Sequence, residues 1–348
     1  MSSVRIHRSI YPQLFGFGIR QLSSAASTRL CSQLSNRSVL SVSGADSKAF
    51  LNGLVASTIK GHPFYTTFLS AQGRVLYDVF VYPHTPPQLY LSSSDMFYVP
   101  SSPAVREWRT GRSGAAEPLY GEDEGRLGPE YPQGTIGTRD LRAPGMGDRL
   151  LVRAGDKPGV SCDVAQDETQ FTLHRILRGV PEGGDDIVPQ QAFPMDSNMD
   201  LMGGVDFRKG CYVGQELTVR TYHTGVVRKR IMPVSLALAP STKALQSPLE
   251  PDPSIPKLPI QISIQAERLT SSPATNSNRP TRPRGTGTLL SNIHGVGLAL
   301  LRLEHVEGVE RGELVMSFTQ MGDKGPESWI VQPKRPVWWP VASNSSSE

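Results

Sequence analysis

The segment Asp206-Phe-Arg-Lys-Gly-Cys-Tyr-Val-Gly-Gln-Glu216 sets one cysteine, Cys211, beside two cations, Arg208 and Lys209. From Tyr212 onward Val213, Leu217 and Arg220-Thr221 recur at a helical spacing, which predicts a helix opening at the cysteine. A thiol in the first turn of a helix faces unpaired N–H groups and the positive end of the helix dipole. Arg208 and Lys209 add positive charge. Together these favour thiolate over thiol, making the sulfur a better nucleophile and metal ligand than a free cysteine of pKa about 8.5. The competing reading is plain: a lone cysteine is more often a small buried hydrophobe. Lys209 either lowers the thiol pKa, pairs with an acidic group of a partner or cofactor, or is a solvated loop lysine. Gln215 and Glu216 suit hydrogen bonds to the loop backbone at a helix start. Gly210 and Gly214 supply backbone geometry.

Other residues narrow the chemistry. The cysteines are Cys31, Cys162 and Cys211, with no C-x-x-C pair. A disulfide framework and a self-contained zinc or iron–sulfur site are therefore unsupported. The histidines are scattered without metal-ligand spacing, and no G-x-x-x-x-G-K-[ST] loop occurs. Asp78 lies in an apolar run, Val75-Leu-Tyr-Asp-Val-Phe-Val81. Its carboxylate must be paired, hydrogen-bonded or turned to a cavity, unless it takes the exposed face of an amphipathic strand. Arg220, His223 and Arg228-Lys-Arg230 form a basic cluster. It suits an acidic carrier or a polyglutamyl tail, or else is a solvated face.

The net charge of +4 over 348 residues is unevenly spread. Residues 1–45 hold five arginines, eleven serines, no lysine and no acid; beyond them 31 basic and 32 acidic residues nearly cancel. That balance gives no reason to expect nucleic acid as a partner. An Arg- and Ser-rich, acid-free start describes a mitochondrial transit peptide, assigned to residues 1–36 as a disordered leader that carries Cys31 away. No apolar run approaches the ~20 residues of a membrane span.

The elements that would position these residues are an α+β layer and a β-rich C-terminal part. Ser38–Val42 reads as a strand and Gly44-Ala-Asp46 as the opening of a helix through Phe50, Leu51, Leu54 and Val55. Phe64–Leu69 and Val75–Tyr82 read as a hairpin around Ala71-Gln-Gly-Arg74, and Gln88–Ser92 as a further strand. Residues 101–133 read as loop. Phe171–Gly179 is a short helix closed by Gly179 and Pro181. Val226–Leu238, Gly285–Arg302 and Glu313–Phe318 supply strands of a barrel placed at 231–340. A Pro/Ser-rich insertion at 240–285 interrupts it, with an alternating run at Ile260, Ile262 and Ile264. The tail 341–348 should fray.

Lys209-Gly-Cys-Tyr-Val-Gly-Gln-Glu216, followed by Thr224-Gly-Val-Val-Arg-Lys-Arg230, resembles the motif of the YgfZ-type relatives of glycine-cleavage aminomethyltransferase. Arg37-Ser-Val-Leu40, Gly44-Ala-Asp-Ser47, Phe68-Leu-Ser-Ala-Gln-Gly-Arg-Val-Leu-Tyr-Asp78, Arg178-Gly-Val-Pro-Glu182 and Gly297-Leu-Ala-Leu-Leu-Arg302 support the match. With the leader, the chain is similar to the mitochondrial branch, iron–sulfur cluster assembly factors of fungal type. The resemblance implies interleaved α/β subdomains around a central channel at 37–230, plus the C-terminal β-barrel. It implies a matrix protein for late maturation of four-iron clusters, with aconitase-like and radical-SAM clients and A-type carriers as partners. It assigns Cys211 and Lys209 the chemistry, supported by Gly210, Tyr212, Gly214, Gln215 and Glu216. Any cluster would be bridged transiently between Cys211 and a partner. It also implies a folate-like pocket at Asp78 and Arg74, with tetrahydrofolate as its cofactor. The aminomethyltransferases carry an acidic pair where this chain has Tyr77-Asp78, which weakens a full methyltransferase mechanism. The alternatives are a tetrahydrofolate-dependent one-carbon transferase and a folate-binding scaffold without chemistry.

Overall fold

In a computed structural model, residues 29–83, 94–99, 107–110, 116–119, 131, 135–240, 249–269, 285–322 and 325–340 are described. The chain begins β1 (Arg29–Gln33), α1 (Ser47–Leu54), β2 (Phe64–Leu69), β3 (Val75–Val81), β4 (Ser94–Val99), β5 (Glu107–Thr110) and β6 (Ala116–Leu119). It continues β7 (Ile136–Arg139), β8 (Asp148–Arg153), β9 (Cys162–Val164), α2 (Thr169–Leu177) and α3 (Gln215–Thr224). The last part is β10 (Lys229–Leu238), β11 (Ser263–Arg268), β12 (Gly287–Ile293), β13 (Val296–Arg302), α4 (Leu303–Glu310), β14 (Leu314–Gly322) and β15 (Gly325–Pro333).

A five-stranded sheet of order β7-β8-β4-β1-β9 organises the first part. Strand β1 runs antiparallel to β4 and parallel to β9. Residues 29–33, expected to be disordered, instead form a strand: Cys31 is fully buried, and beyond it Leu34 packs with Tyr98, Phe171 and Leu201. Arginine and serine content signals a leader, but a strand between two neighbours accepts Ser32 as readily, and it is buried. Conversely Ser38–Val42 is not a strand. Among the described residues it has no strand partner, and Leu40 stands 85% exposed and Val42 39%. Within 101–133, strands β5 and β6 pair as an antiparallel hairpin rather than an unbroken loop. The strand expected at Gln88–Ser92 lies outside the described residues, as do residues 1–28 and 341–348.

The β2–β3 hairpin forms as its alternation predicts, paired from Phe64↔Val81 to Leu69↔Val75 with an irregularity at Phe68/Leu69. It stands apart from the large sheet as a two-stranded unit. All of β2 except the half-buried Phe68 is buried, so this hairpin is a core element and a firm base for what rests on it.

The last six strands close a barrel of order β10-β13-β12-β11-β14-β15. Its core includes Met232, Ile264, Leu289, Leu301, Phe318 and Trp329. Strand β11 comes from within the stretch 240–285, so part of that insertion is a stave of the barrel: Leu258 and Ile264 are buried inside it. His294 and Gly295 both hold positive φ (51° and 71°) at the β12–β13 turn, the tight hairpin geometry that fits the twist of the strands. Helix α4, not anticipated in the sequence, covers the barrel with Val306. Helix α2 joins the two parts. Its Ile176 packs with Ile231, Leu290, Val296 and Leu298, and its Arg175 donates to Asp186 and Ser291.

Candidate functional site around Cys211

The Cys211 loop rests on the hairpin tip and on α1. The turn closes through Ser70 N–H to Arg74 O (2.8 Å) and Gly73 N–H to Ser70 O (2.9 Å). Gly214 sits against it with φ +79°; a β-carbon there would lie 2.3 Å from Ser70 O and 2.8 Å from Leu69 Cβ. The loop is pinned further by Val213 N–H to Gly53 O (3.0 Å) and Asp206 N–H to Ala56 O (3.0 Å). Thr58 Oγ1 donates to Asp206 Oδ2 at 2.7 Å. Tyr212 is buried among Leu69, Val75, Met199 and Val205. Gln215 Oε1 accepts the Tyr212 N–H (3.1 Å), the loop-bonding role its position suggested. Between these anchors Cys211 is exposed.

Two sequence expectations need correction here. Helix α3 begins at Gln215, with Gly214 in the left-handed region at its start. Cys211 therefore precedes the helix rather than standing in its first turn; the left-handed Gly214 stops the helix from extending back to Tyr212. The acid in the first turn is Glu216, where the dipole favours it. Gly210 holds no positive φ and a β-carbon there would meet open space, so its identity is not forced by geometry. Lys209, by contrast, is engaged. Its Nζ donates to Asn52 O and stands 5.1 Å from the Tyr212 ring centroid. Burial lowers its pKa, opposed by the charges of Asp206 and an ionised Cys211.

The two residues that the resemblance assigns to a folate-like pocket, Asp78 and Arg74, have partners within the fold. Asp78 is buried and bidentately paired with Arg37, at 2.6 Å and 3.2 Å, and its Oδ1 also accepts the Gly183 N–H at 3.2 Å. Arg37 continues to Glu182 (3.0 Å), which also meets Arg142 and Arg149 at 2.5 Å each. Asp140 closes the network with Arg142 (2.8 Å) and Arg149 (3.0 Å). Burial alone would raise the Asp140 pKa, but Arg142 and Arg149 outweigh it and hold it at about 2. Glu182 is likewise held well below the carboxylate range by Arg149, Arg37 and Arg142, against its burial. Tyr65, Phe80 and Phe171 flank the guanidinium groups. Arg74 donates to Gln191 O (2.6 Å) and lies 3.5 Å from the Phe193 ring centroid. Asp78 is thus held by Arg37 and Gly183, while Arg74 is half-buried with one of its guanidinium nitrogens bonded to Gln191 O. Sequence reasoning missed this network. Arg37 and Glu182 stood inside motif segments, but nothing in their spacing pairs residues so distant.

The basic cluster is also divided. Arg220, His223 and Arg228 are exposed, whereas Arg230 is buried against Asp200 at 2.8 Å and donates to Met195 O. Beside α3 lies a cavity of about 400 Å³ lined by Phe193, Asp196, Leu217, Thr218, Val227 and Lys229, among others. Burial raises the Asp196 pKa to about 6 despite Lys229 and Arg230 nearby. Among the described residues no group of three or more His, Cys, Asp and Glu is placed to hold a metal ion.

Residues 228–341 match the family model of the CAF17 C-terminal beta-barrel domain. The whole fold is similar to the glycine cleavage system aminomethyltransferase T from Bartonella henselae. The TM-score is 0.51 at 12% identity, over 90% of this chain and 87% of that one. Three curated relatives carry the name iron–sulfur cluster assembly factor IBA57 homolog, mitochondrial. That of Coccidioides immitis is 36% identical over 78% of this chain and 71% of its own length. That of Cryptococcus neoformans is 36% identical over 79% and 84%, and that of Mycosarcoma maydis 33% over 93% and 89%. At such identity and coverage, the chain belongs to the family of mitochondrial iron–sulfur cluster assembly factor IBA57 homologs.

Proposed function

We propose that this protein acts in the mitochondrial matrix as an iron–sulfur cluster assembly factor, at a late step that delivers four-iron clusters. Its partners in this reading are A-type carriers, and its clients are aconitase-like and radical-SAM enzymes. The observation that carries the proposal is the exposed Cys211 on a loop clamped by Val213, Asp206 and Gly214, in a chain of this family. Iron–sulfur clusters are held by several thiolates, so one cysteine serves a cluster shared with another protein. The cluster is substrate. Cys211 loses its proton and its sulfur bonds a cluster iron; the displaced carrier thiolate takes up a proton. Lys209 is the positioning residue: its bond to Asn52 O ties the motif to α1.

The test is to mix the purified protein with a cluster-loaded A-type carrier and follow the visible absorption and the size of the complex. The expected result is a coloured heterocomplex that Cys211→Ser abolishes without changing the far-ultraviolet dichroism. Equal complex formation by the serine variant would sink the ligand role. The rival, tetrahydrofolate-dependent one-carbon transfer, requires Asp78 free to meet the folate. Its Arg37 and Gly183 partners speak against that. Saturable tetrahydrofolate binding lost in Asp78→Asn would restore it.

A further inference from the structure

We propose that Cys31 and Cys162 form a disulfide that fastens the first strand of the large sheet to its edge strand. Three observations converge. Strands β1 and β9 pair in parallel with Arg29 opposite Cys162 and Cys31 opposite Val164. Side chains alternate along a strand, so Val164 and Cys162 share a face. Cys31, opposite Val164, projects from that same face as the diagonal neighbour of Cys162. The two Sγ atoms stand 2.6 Å apart, close to the bonded distance of about 2.05 Å. Cys31 belongs to an apolar cluster with Phe97, Val99, Leu150 and Val152, and Cys162 packs against the same cluster.

Exposure orders the chemistry. Cys31 is buried and Cys162 is not. A low-molecular-weight disulfide such as glutathione disulfide therefore meets Cys162 first. The Cys162 thiolate, its proton lost to water, attacks one glutathione sulfur. The glutathione S–S bond breaks and the first glutathione leaves as thiolate. Cys31 then loses its proton and attacks the Cys162 sulfur, expelling the second glutathione. Two protein thiols are oxidised by two electrons and one glutathione disulfide is reduced to two thiols. Burial, together with the neighbouring Cys162, pushes the Cys31 pKa up. A high-pKa thiol is a scarce nucleophile and a poor leaving group. The link is thus slow to form and slow to reduce, which suits a structural fastening more than a fast switch.

The experiment uses the full chain under native conditions. The protein is incubated with glutathione disulfide, unfolded in excess alkylating agent, and mapped by mass spectrometry without reduction. The expected result is a peptide linking Cys31 to Cys162, absent in Cys162→Ala, with Cys211 outside the link. The linked form should also melt higher than the reduced form and return to it with a strong dithiol. A stable glutathione adduct on Cys162 with Cys31 still alkylatable would overturn the proposal. So would both thiols remaining free, or a link from either one to Cys211.

Discussion

Gly210 and Gly214 look alike in the sequence but should behave oppositely when changed to alanine. At Gly214 the backbone is left-handed, φ +79°, and the new methyl would stand 2.3 Å from Ser70 O and 2.8 Å from Leu69 Cβ. The conformation alone costs a residue with a β-carbon about 1–2 kcal/mol. Forcing a methyl into a filled space costs about 1–3 kcal/mol more. A loss of about 3 kcal/mol lowers Tm by roughly 6–12 °C in a domain of this size. The backbone that must yield is the Ser70–Arg74 turn under the Cys211 loop, so complex formation with a carrier should fall too. Gly210→Ala meets nothing within 4 Å and has no positive φ; its effect should stay within about 0.5 kcal/mol. Thermal melts of both variants, with the carrier-binding assay alongside, decide the matter. A Gly210→Ala loss as large as that of Gly214→Ala would refute the geometric account of the motif.

Glu182→Gln leaves Arg142 and Arg149 short of a counter-charge in a dry site; a loss of about 3–5 kcal/mol is expected, read as a shift in denaturant midpoint. Asp196→Asn should act in the other direction. Burial raises that carboxyl to about 6 in the fold, so the cost of ionising it is absent at low pH and grows as pH rises to that value. The variant should gain on the order of 2 kcal/mol at pH 7.5, after discount for partial exposure, and nothing near pH 4. Equal gains at both pH values would show that ionisation is not the cause. The burial of Cys31 and Leu34 predicts that β1 stays with the folded protein; mass spectrometry of the protein from mitochondria should find Arg29–Gln33 retained, and a mature N-terminus beyond Gln33 would contradict it.

The readable parts of the sequence were those where local pattern and tertiary environment agree. The β2–β3 hairpin alternates around a turn rich in small and polar residues, and it formed as read. Strand β1 was hidden because its burial comes from β4 and β9, far along the chain. Its own composition belongs to a leader. The Cys211 motif announced a site, but the helix start was placed too early, since a single left-handed glycine moved it to Gln215. Asp78 stood out as a carboxylate in an apolar strand that had to be paired, hydrogen-bonded, turned to a cavity or exposed, and the fold pairs it. The partner, Arg37, lies 41 positions away, and no periodicity reports contacts at that separation. Glu182 and Asp140 were invisible for the same reason: a buried ion network is a property of the assembled fold.

The central claim is that Cys211 carries the protein's part in cluster delivery. The most direct measurement replaces the native gene with one encoding Cys211→Ser and follows aconitase activity and protein lipoylation against protein abundance. Both should fall toward the level of cells lacking the protein while the variant remains folded and abundant. Wild-type aconitase activity and lipoylation with the serine variant would contradict it.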